Sequence, residues 1–180
     1  MVNQCSLSRP FMHVATDAEG ISASSLRSRL ENWPAGKPRP KVLYTVPYGC
    51  NPTGMTATLE RRVEVLKLAR EFDFIILEDD PYFYLYYGTA PRVPSYFSLE
   101  KELLPETGRV LRFDSFSKVL SAGMRLGFAS GPEPILSAIE KFYLPLSSHL
   151  LFGPRTSLVY ASQTSRLAVL WRQLGETLLL

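Results

Sequence analysis

The chain has 180 residues, 46% of them apolar, 21% charged and 12% aromatic, and 20 Lys and Arg stand against 17 Asp and Glu for a formal net charge of +3. Disorder needs lower hydrophobicity and higher net charge, so the composition excludes it. No apolar run reaches the roughly 18 residues of a membrane-spanning helix, so no membrane partner is expected. The basic residues are scattered rather than gathered in the patch or stripe of a nucleic-acid protein. The densest group, Lys37, Arg39 and Lys41, alternates with Pro38 and Pro40 and reads as an exposed loop.

In chain order, Ile21 to Trp33 has the spacing of a short helix, with Leu26 and Leu30 on one side, Ser24 or Ser25 near its start and Pro34 at its end. Lys41 to Val46 is β-branched and aromatic between prolines, and reads as a buried strand. Pro47 to Gly54 is a turn-rich loop, with Pro and Gly recurring through it. Leu59 to Phe72 is the strongest helix signal. Leu59, Val63, Leu66, Ala69 and Phe72 recur three and four apart as its apolar face, and Thr56 or Thr58 can cap it.

Phe74 to Glu78 is a second buried strand, so strand, loop, helix and strand form a βαβ unit with parallel pairing. Val110 to Phe113 and Arg125 to Ser130 are further strands, and Glu133 to Leu144 a helix. The whole reads as one α/β layered domain.

Cys5 and Cys50, and His13 and His149, are too few and too far apart for a disulfide framework or a zinc site, so no metal is expected. Met1 to Pro10 has no basic region followed by an apolar run, so a secretory signal is not expected and a cytoplasmic location is the default.

In open α/β sheets ligands bind at the carboxyl ends of the strands. Here the first three strands end in polar residues: Asn51 after the first, Asp79 and Tyr82 after the second, Ser115, Ser117 and Lys118 after the third. Taken singly, each has a bland reading. Asn51-Pro52-Thr53-Gly54 suits a turn, Glu78-Asp79-Asp80 a solvated acidic loop, and Lys118 and Arg125 solvated charges. Their convergence predicts one site built from three loops. The run Tyr82, Phe83, Tyr84, Tyr86, Tyr87 could form an aromatic box, but core packing is the expectation for most of it.

The ordered set NPTG, D-x-x-Y and S-x-S-K followed by Arg125, within VLYTVPYGCNPTG, FIILEDDPY, RVPSYFSLE and FDSFSKVLSAGMRLGF, resembles the class I and II aminotransferases of the aspartate-aminotransferase fold. These enzymes depend on pyridoxal 5'-phosphate (PLP). The stretches look most like the subgroup of kynurenine/α-aminoadipate and fungal aromatic aminotransferases. The resemblance runs from about Phe11 to about Ser148. It implies a partial PLP-transferase large domain over residues 11–150, a mostly parallel sheet flanked by helices, with divergent ends at 1–10 and 164–180.

The resemblance also implies roles. Lys118 matches the lysine that binds PLP covalently and moves protons as general base, work that needs a long-reaching primary amine. Asp79 matches the carboxylate facing the pyridine nitrogen, and Tyr82 and Asn51 the donors to the phenolic oxygen. Ser115, Ser117 and Arg125 match phosphate ligands, while Glu78 and Asp80 have no role in the family pattern and read as structural. The implied partners are an amino acid and a 2-oxo acid. A homodimer is the family's expectation, and the short chain argues against one here.

The family's chains are longer. An upstream phosphate loop, a ring-stacking aromatic and a downstream arginine for the substrate carboxylate have no counterpart here, so the chain reads as truncated. The alternatives are a β-lyase or decarboxylase on the same scaffold, a regulator carrying an aminotransferase-like domain, and an inactive remnant.

Overall fold

The computed structural model describes residues 12–124, 127–148, 158–162 and 167–169. A small hairpin opens the described chain, with strand β1 (Thr16–Asp17) antiparallel to β2 (Gly20–Ile21). Its turn is closed by Asp17, whose Oδ1 accepts the Glu19 amide at 2.9 Å. Gly20 has φ +97° and its backbone lies against Ala57, so a side chain here would meet Ala57 Cβ at 2.9 Å. Only glycine suits both the conformation and the contact.

Helix α1 (Ala23–Glu31) starts at Ser22, whose hydroxyl accepts the Ser25 amide; the cap is therefore Ser22 rather than Ser24 or Ser25. Strand β3 (Val42–Thr45) leads through the 46–58 loop to α2 (Leu59–Phe72), which Thr58 caps and which ends at Asp73 in the left-handed region. Strand β4 (Ile75–Asp79) follows and pairs parallel with β3, as the βαβ reading requires.

Helix α3 (Tyr96–Leu103) has no counterpart among the sequence expectations. Ser95 caps it from one side. The Glu78 carboxylate, arriving from β4, accepts the Tyr96 and Phe97 amides at 2.8 and 3.1 Å. This second cap is tertiary and leaves no local signature. Strand β5 (Val110–Ser115) pairs parallel with β4, and β6 (Gly127–Gly131) antiparallel with β5. Helix α4 (Glu133–Ser148) runs past Pro145, further than the expected end at Leu144. Strands β7 (Leu158–Ser162) and β8 (Leu167–Val169) complete a six-stranded mixed sheet in the order β3-β4-β5-β6-β7-β8.

The pleat divides the core in two. Ile76 and Val110 join Leu26, Leu30, Val65, Leu66, Ala69, Tyr96 and Leu99 beneath the α1–α3 layer. On the other face Leu77 and Leu111 pack with Ala129 and with Leu136 of α4. Side chains alternate along a strand, so neighbours in sequence serve opposite layers.

Two expectations are corrected. Strand β3 is not buried: Val42 is 53% and Tyr44 52% exposed. It ends the order of described strands, and its face away from α1–α3 is left open. The buried side of α2 is also shifted, to Arg62, Val65, Leu66, Leu68 and Ala69, with Leu59 exposed. A buried arginine is invisible to an apolar-periodicity count, and it accounts for the rotation.

Candidate active site

Strands β3, β4 and β5 are parallel, so their carboxyl ends lie along one edge of the sheet. Asp79 is the last residue of β4 and Ser115 the last of β5. Tyr44 lies opposite Leu77, two residues before Asp79 on the same face. This places the Tyr44 hydroxyl to donate to Asp79 Oδ2 at 2.6 Å. Burial pushes the Asp79 carboxyl above the usual aspartate range; the Tyr44 hydrogen bond pulls it back, and the Asp114 charge adds to the push. Tyr44 is itself pushed up, by burial and then by its bond to Asp79. Sequence reasoning missed Tyr44. Its signal is register, since it becomes a neighbour of Asp79 only once β3 and β4 are aligned.

The loop after β3 is held by backbone bonds. The Cys50 amide donates to Met55 O at 2.9 Å, the Gly54 amide to Cys50 O at 2.6 Å, and the Gly49 amide to Thr56 Oγ1 at 3.0 Å. Asn51 sits exposed in this loop before a cis peptide to Pro52. Gly49 adjoins Tyr82, and a β-carbon there would lie 3.7 Å from Tyr82 Cβ. The first two loops therefore meet through Gly49 and Tyr82 rather than through the Asn51 side chain.

The third loop turns tightly after β5. The amides of Val119, Leu120 and Ser121 converge on Phe116 O at 3.2, 2.9 and 3.2 Å, and the Ser117 amide donates to Ser115 Oγ at 3.2 Å. The Phe116 ring packs on Phe128 of β6 at 5.6 Å between centroids, which anchors the turn to the sheet. Lys118 is exposed on this turn, and its Nζ stands 6.0 Å from the centre of the Tyr82 ring. Asp79, Tyr82, Ser115, Ser117 and Lys118 are thus gathered at one edge. Arg125 lies outside the described residues.

On the opposite face of the same strand ends is a buried charge cluster. Arg112 makes a two-pronged bond to Asp114 (2.7 and 2.6 Å) and reaches Asp80 Oδ2 at 3.0 Å and Glu78 at 3.8 Å. Arg62, wholly buried, donates to the carbonyls of Ala57, Pro94 and Pro47 at 3.0, 3.0 and 3.1 Å and lies 3.9 Å from Glu78. Burial pushes Asp80 up to about 7, against the pull of Arg112, and its Oδ1 has no hydrogen-bond partner among the described residues. Burial likewise raises Glu78. Two arginines thus face three carboxylates, and burial works against ionisation of Asp80 and Glu78. Glu78 and Asp80 are structural, as expected from the sequence. The cluster braces the loops from beneath: Arg62 ties the start of the Asn51 loop, and Arg112 ties β4 to β5.

The aromatic run is corrected. None of its five rings is fully buried, and Tyr84 and Tyr87 are 50% and 89% exposed. Phe83 lies over the cluster, 4.7 Å from Arg112 and 4.8 Å from Arg92, and Phe83 and Tyr86 pack edge-on against buried Tyr48, so cation–π contacts and one core ring together organise the loop.

The sequence profile of the family described as aminotransferase class I and II matches residues 5–166. Aminotransferase tdiD of Emericella nidulans is 50% identical over 129 residues, and the Bos taurus mitochondrial kynurenine/alpha-aminoadipate aminotransferase 45% identical over 134 residues. Each match covers 71% of this chain and 30% of the relative. The chain therefore spans about 30% of the length of these curated relatives. Among solved structures, the alpha-aminoadipate aminotransferase LysN of Thermus thermophilus, complexed with N-(5'-phosphopyridoxyl)-L-leucine, matches with a TM-score of 0.63 and 36% identity, covering 71% of this chain and 31% of that one.

Proposed function

The chain belongs to the class I and II aminotransferases, and from that premise we propose that it carries the PLP-binding centre of an enzyme that moves an amino group between an amino acid and a 2-oxo acid. The large-domain portion is residues 11–150. The amino acid is of the aromatic, kynurenine or aminoadipate type, a reading supported by the names of the relatives. PLP fits the donor set: a primary amine, a half-buried carboxylate and a phenol converge, and no carboxylate among the described residues pairs with Lys118.

When bound, PLP supplies an electron-withdrawing ring that stabilises negative charge at the α-carbon of an amino acid. The protein's own groups hold and orient it. Lys118 Nζ would be the amine that holds the cofactor, and as a free amine it would accept and return a proton as general base. Asp79 would face the ring nitrogen, where a negative charge favours a bound proton. Tyr82 and Asn51 would be the donors to the phenolic oxygen. Ser115, Ser117 and Arg125 would hold the phosphate, since hydroxyls and a guanidinium suit a dianion.

The observation that supports this reading is the position of Asp79 at the end of β4, beside the turn after the parallel strand β5 on which Lys118 stands 6.0 Å from the Tyr82 ring. To test it, the chain is incubated with PLP, reduced with borohydride and mapped by mass spectrometry. The expected product carries the label at Lys118. Equal labelling of the surface lysines, or an unchanged absorbance spectrum for Lys118→Ala, would overturn the assignment. Amino transfer that depends on an added 2-oxo acid, against release of ammonia or carbon dioxide, separates a transaminase from a lyase or a decarboxylase.

A further inference from the structure

We propose that Tyr44 is a positioning residue for Asp79: its hydroxyl holds Oδ2 of the carboxylate and leaves Oδ1 to face the ring nitrogen of PLP. The inference rests on the functional reading above and extends it to a residue on a different strand. Tyr44 lies on the face of β3 that the described residues leave open, where it is 52% exposed. Its one hydrogen bond among the described residues is the 2.6 Å contact to Asp79. That length is typical of a hydroxyl donating to an ionised acceptor.

The geometry gives the contact a direction. A carboxylate on a strand end can rotate about its side-chain torsions, and rotation would swing its charge away from a ligand lying over the sheet. Bonding one oxygen to a group on the adjacent strand removes that freedom. Among the described residues no donor binds Oδ1, so the second oxygen is left for the ligand. Preorganisation of this kind makes a site effective, because the orientation cost is met in folding rather than on binding.

The electrostatic surroundings fit the same role. Asp79 is bonded by Tyr44 from β3, while the Asp114 charge, which Arg112 holds on the opposite face of β5, acts on it through the sheet. Tyr44 is faced in turn by Asp79, by Cys50 of the first loop and by Tyr82 of the second. Burial and Asp114 both favour the protonated acid, and Tyr44 opposes them. A neutral Asp79 would give the ring nitrogen no charge, so the Tyr44 bond also preserves the form of Asp79 that the cofactor needs.

The test is Tyr44→Phe, which removes one oxygen from an exposed edge and leaves the packing of both core clusters intact. The titration of the Asp79 carboxyl is followed by carbon-detected NMR in the 180-residue chain without PLP. Loss of a hydrogen bond to a charged acceptor is expected to weaken acid dissociation at Asp79 roughly tenfold. PLP is then added to both chains, and the pH dependence of the visible band of the Lys118-bound cofactor is compared. The expected result is retained labelling at Lys118, weaker PLP affinity and a displaced pH profile. A merely structural residue would move stability and leave both titrations alone. Unchanged Asp79 titration, with PLP still captured at Lys118, overturns this inference while the functional reading stands. Failure of the unaltered chain to label at Lys118 overturns both.

Discussion

Replacing Arg62 by Met tests whether the charge cluster holds the loops of the site. The substitution keeps an unbranched side chain of similar reach and removes the guanidinium. The carbonyls of Ala57, Pro94 and Pro47 each lose a donor, with Pro47 keeping the Ala57 amide at 2.8 Å, and Glu78 loses a cation at 3.9 Å. An unsatisfied buried acceptor costs about 1 kcal/mol or more, and breaking a buried charged pair from one side costs about 3–5 kcal/mol. Glu78 keeps Arg112 at 3.8 Å and the Tyr96 and Phe97 amides, which places the expected loss toward the lower part of that range. A loss of about 3 kcal/mol is a large share of the roughly 5–15 kcal/mol that holds a typical domain together. It lowers Tm by about 6–12 °C at the usual 2–4 °C per kcal/mol for this size. Urea and thermal unfolding followed by far-ultraviolet circular dichroism measure it. Arg62→Lys, a point charge that cannot reach three carbonyls at once, is expected to recover only part of the loss. A cost below about 1 kcal/mol for Arg62→Met would refute the view that Arg62 braces the Asn51 loop.

Asp80 gives a pH dependence of definite sign. Its folded pKa of about 7 lies above the ordinary 3.8, so the folded state binds its proton more tightly. The stability this contributes is full below about pH 4 and is lost as pH rises through about 7, and raised Glu78 and Asp79 act in the same direction. Asp80→Asn is expected to flatten the fall in Tm between about pH 5 and about pH 7; equal slopes for the two proteins would refute the assignment. At the acid end, exposed Asp73 is held down at about 2 by Lys41 and Arg109, and its contribution is present above about pH 4 and lost as pH falls toward 2. Gly131→Ala would drive a β-carbon into Leu111 Cδ1 and to 3.3 Å from Val110 O, so it is expected to cost about 1–3 kcal/mol by overpacking, and an unchanged urea midpoint would show that β6 has room there.

Much of the frame was legible in the chain. Helix α2 has the predicted bounds, because a cap at Thr58, a long periodic run and a stop before Asp73 are all local signals. The β3–α2–β4 unit follows from two apolar runs separated by that helix. Helix α3 was not legible, because one of its two caps is Glu78, which lies in a strand before it. The exposure of β3 was not legible either. Whether an apolar run is covered depends on what packs against its face, and the six residues of Lys41 to Val46 carry no record of that.

For the site the division is similar. Residue types and their order were enough to single out Asn51, Asp79, Tyr82, Ser115, Ser117 and Lys118, since an amine, a carboxylate and hydroxyls at the ends of consecutive strands are chemically specific. Register and packing decided which of them meet. They brought Lys118 over Tyr82, set the Asn51 loop against Tyr82 through Gly49, and paired Asp79 with Tyr44. They also placed Arg62 in the interior and left Asp80 with an unsatisfied oxygen. The physical reason is that chemical identity belongs to single residues, while hydrogen bonds, burial and the resulting proton affinities belong to pairs whose members lie on different strands.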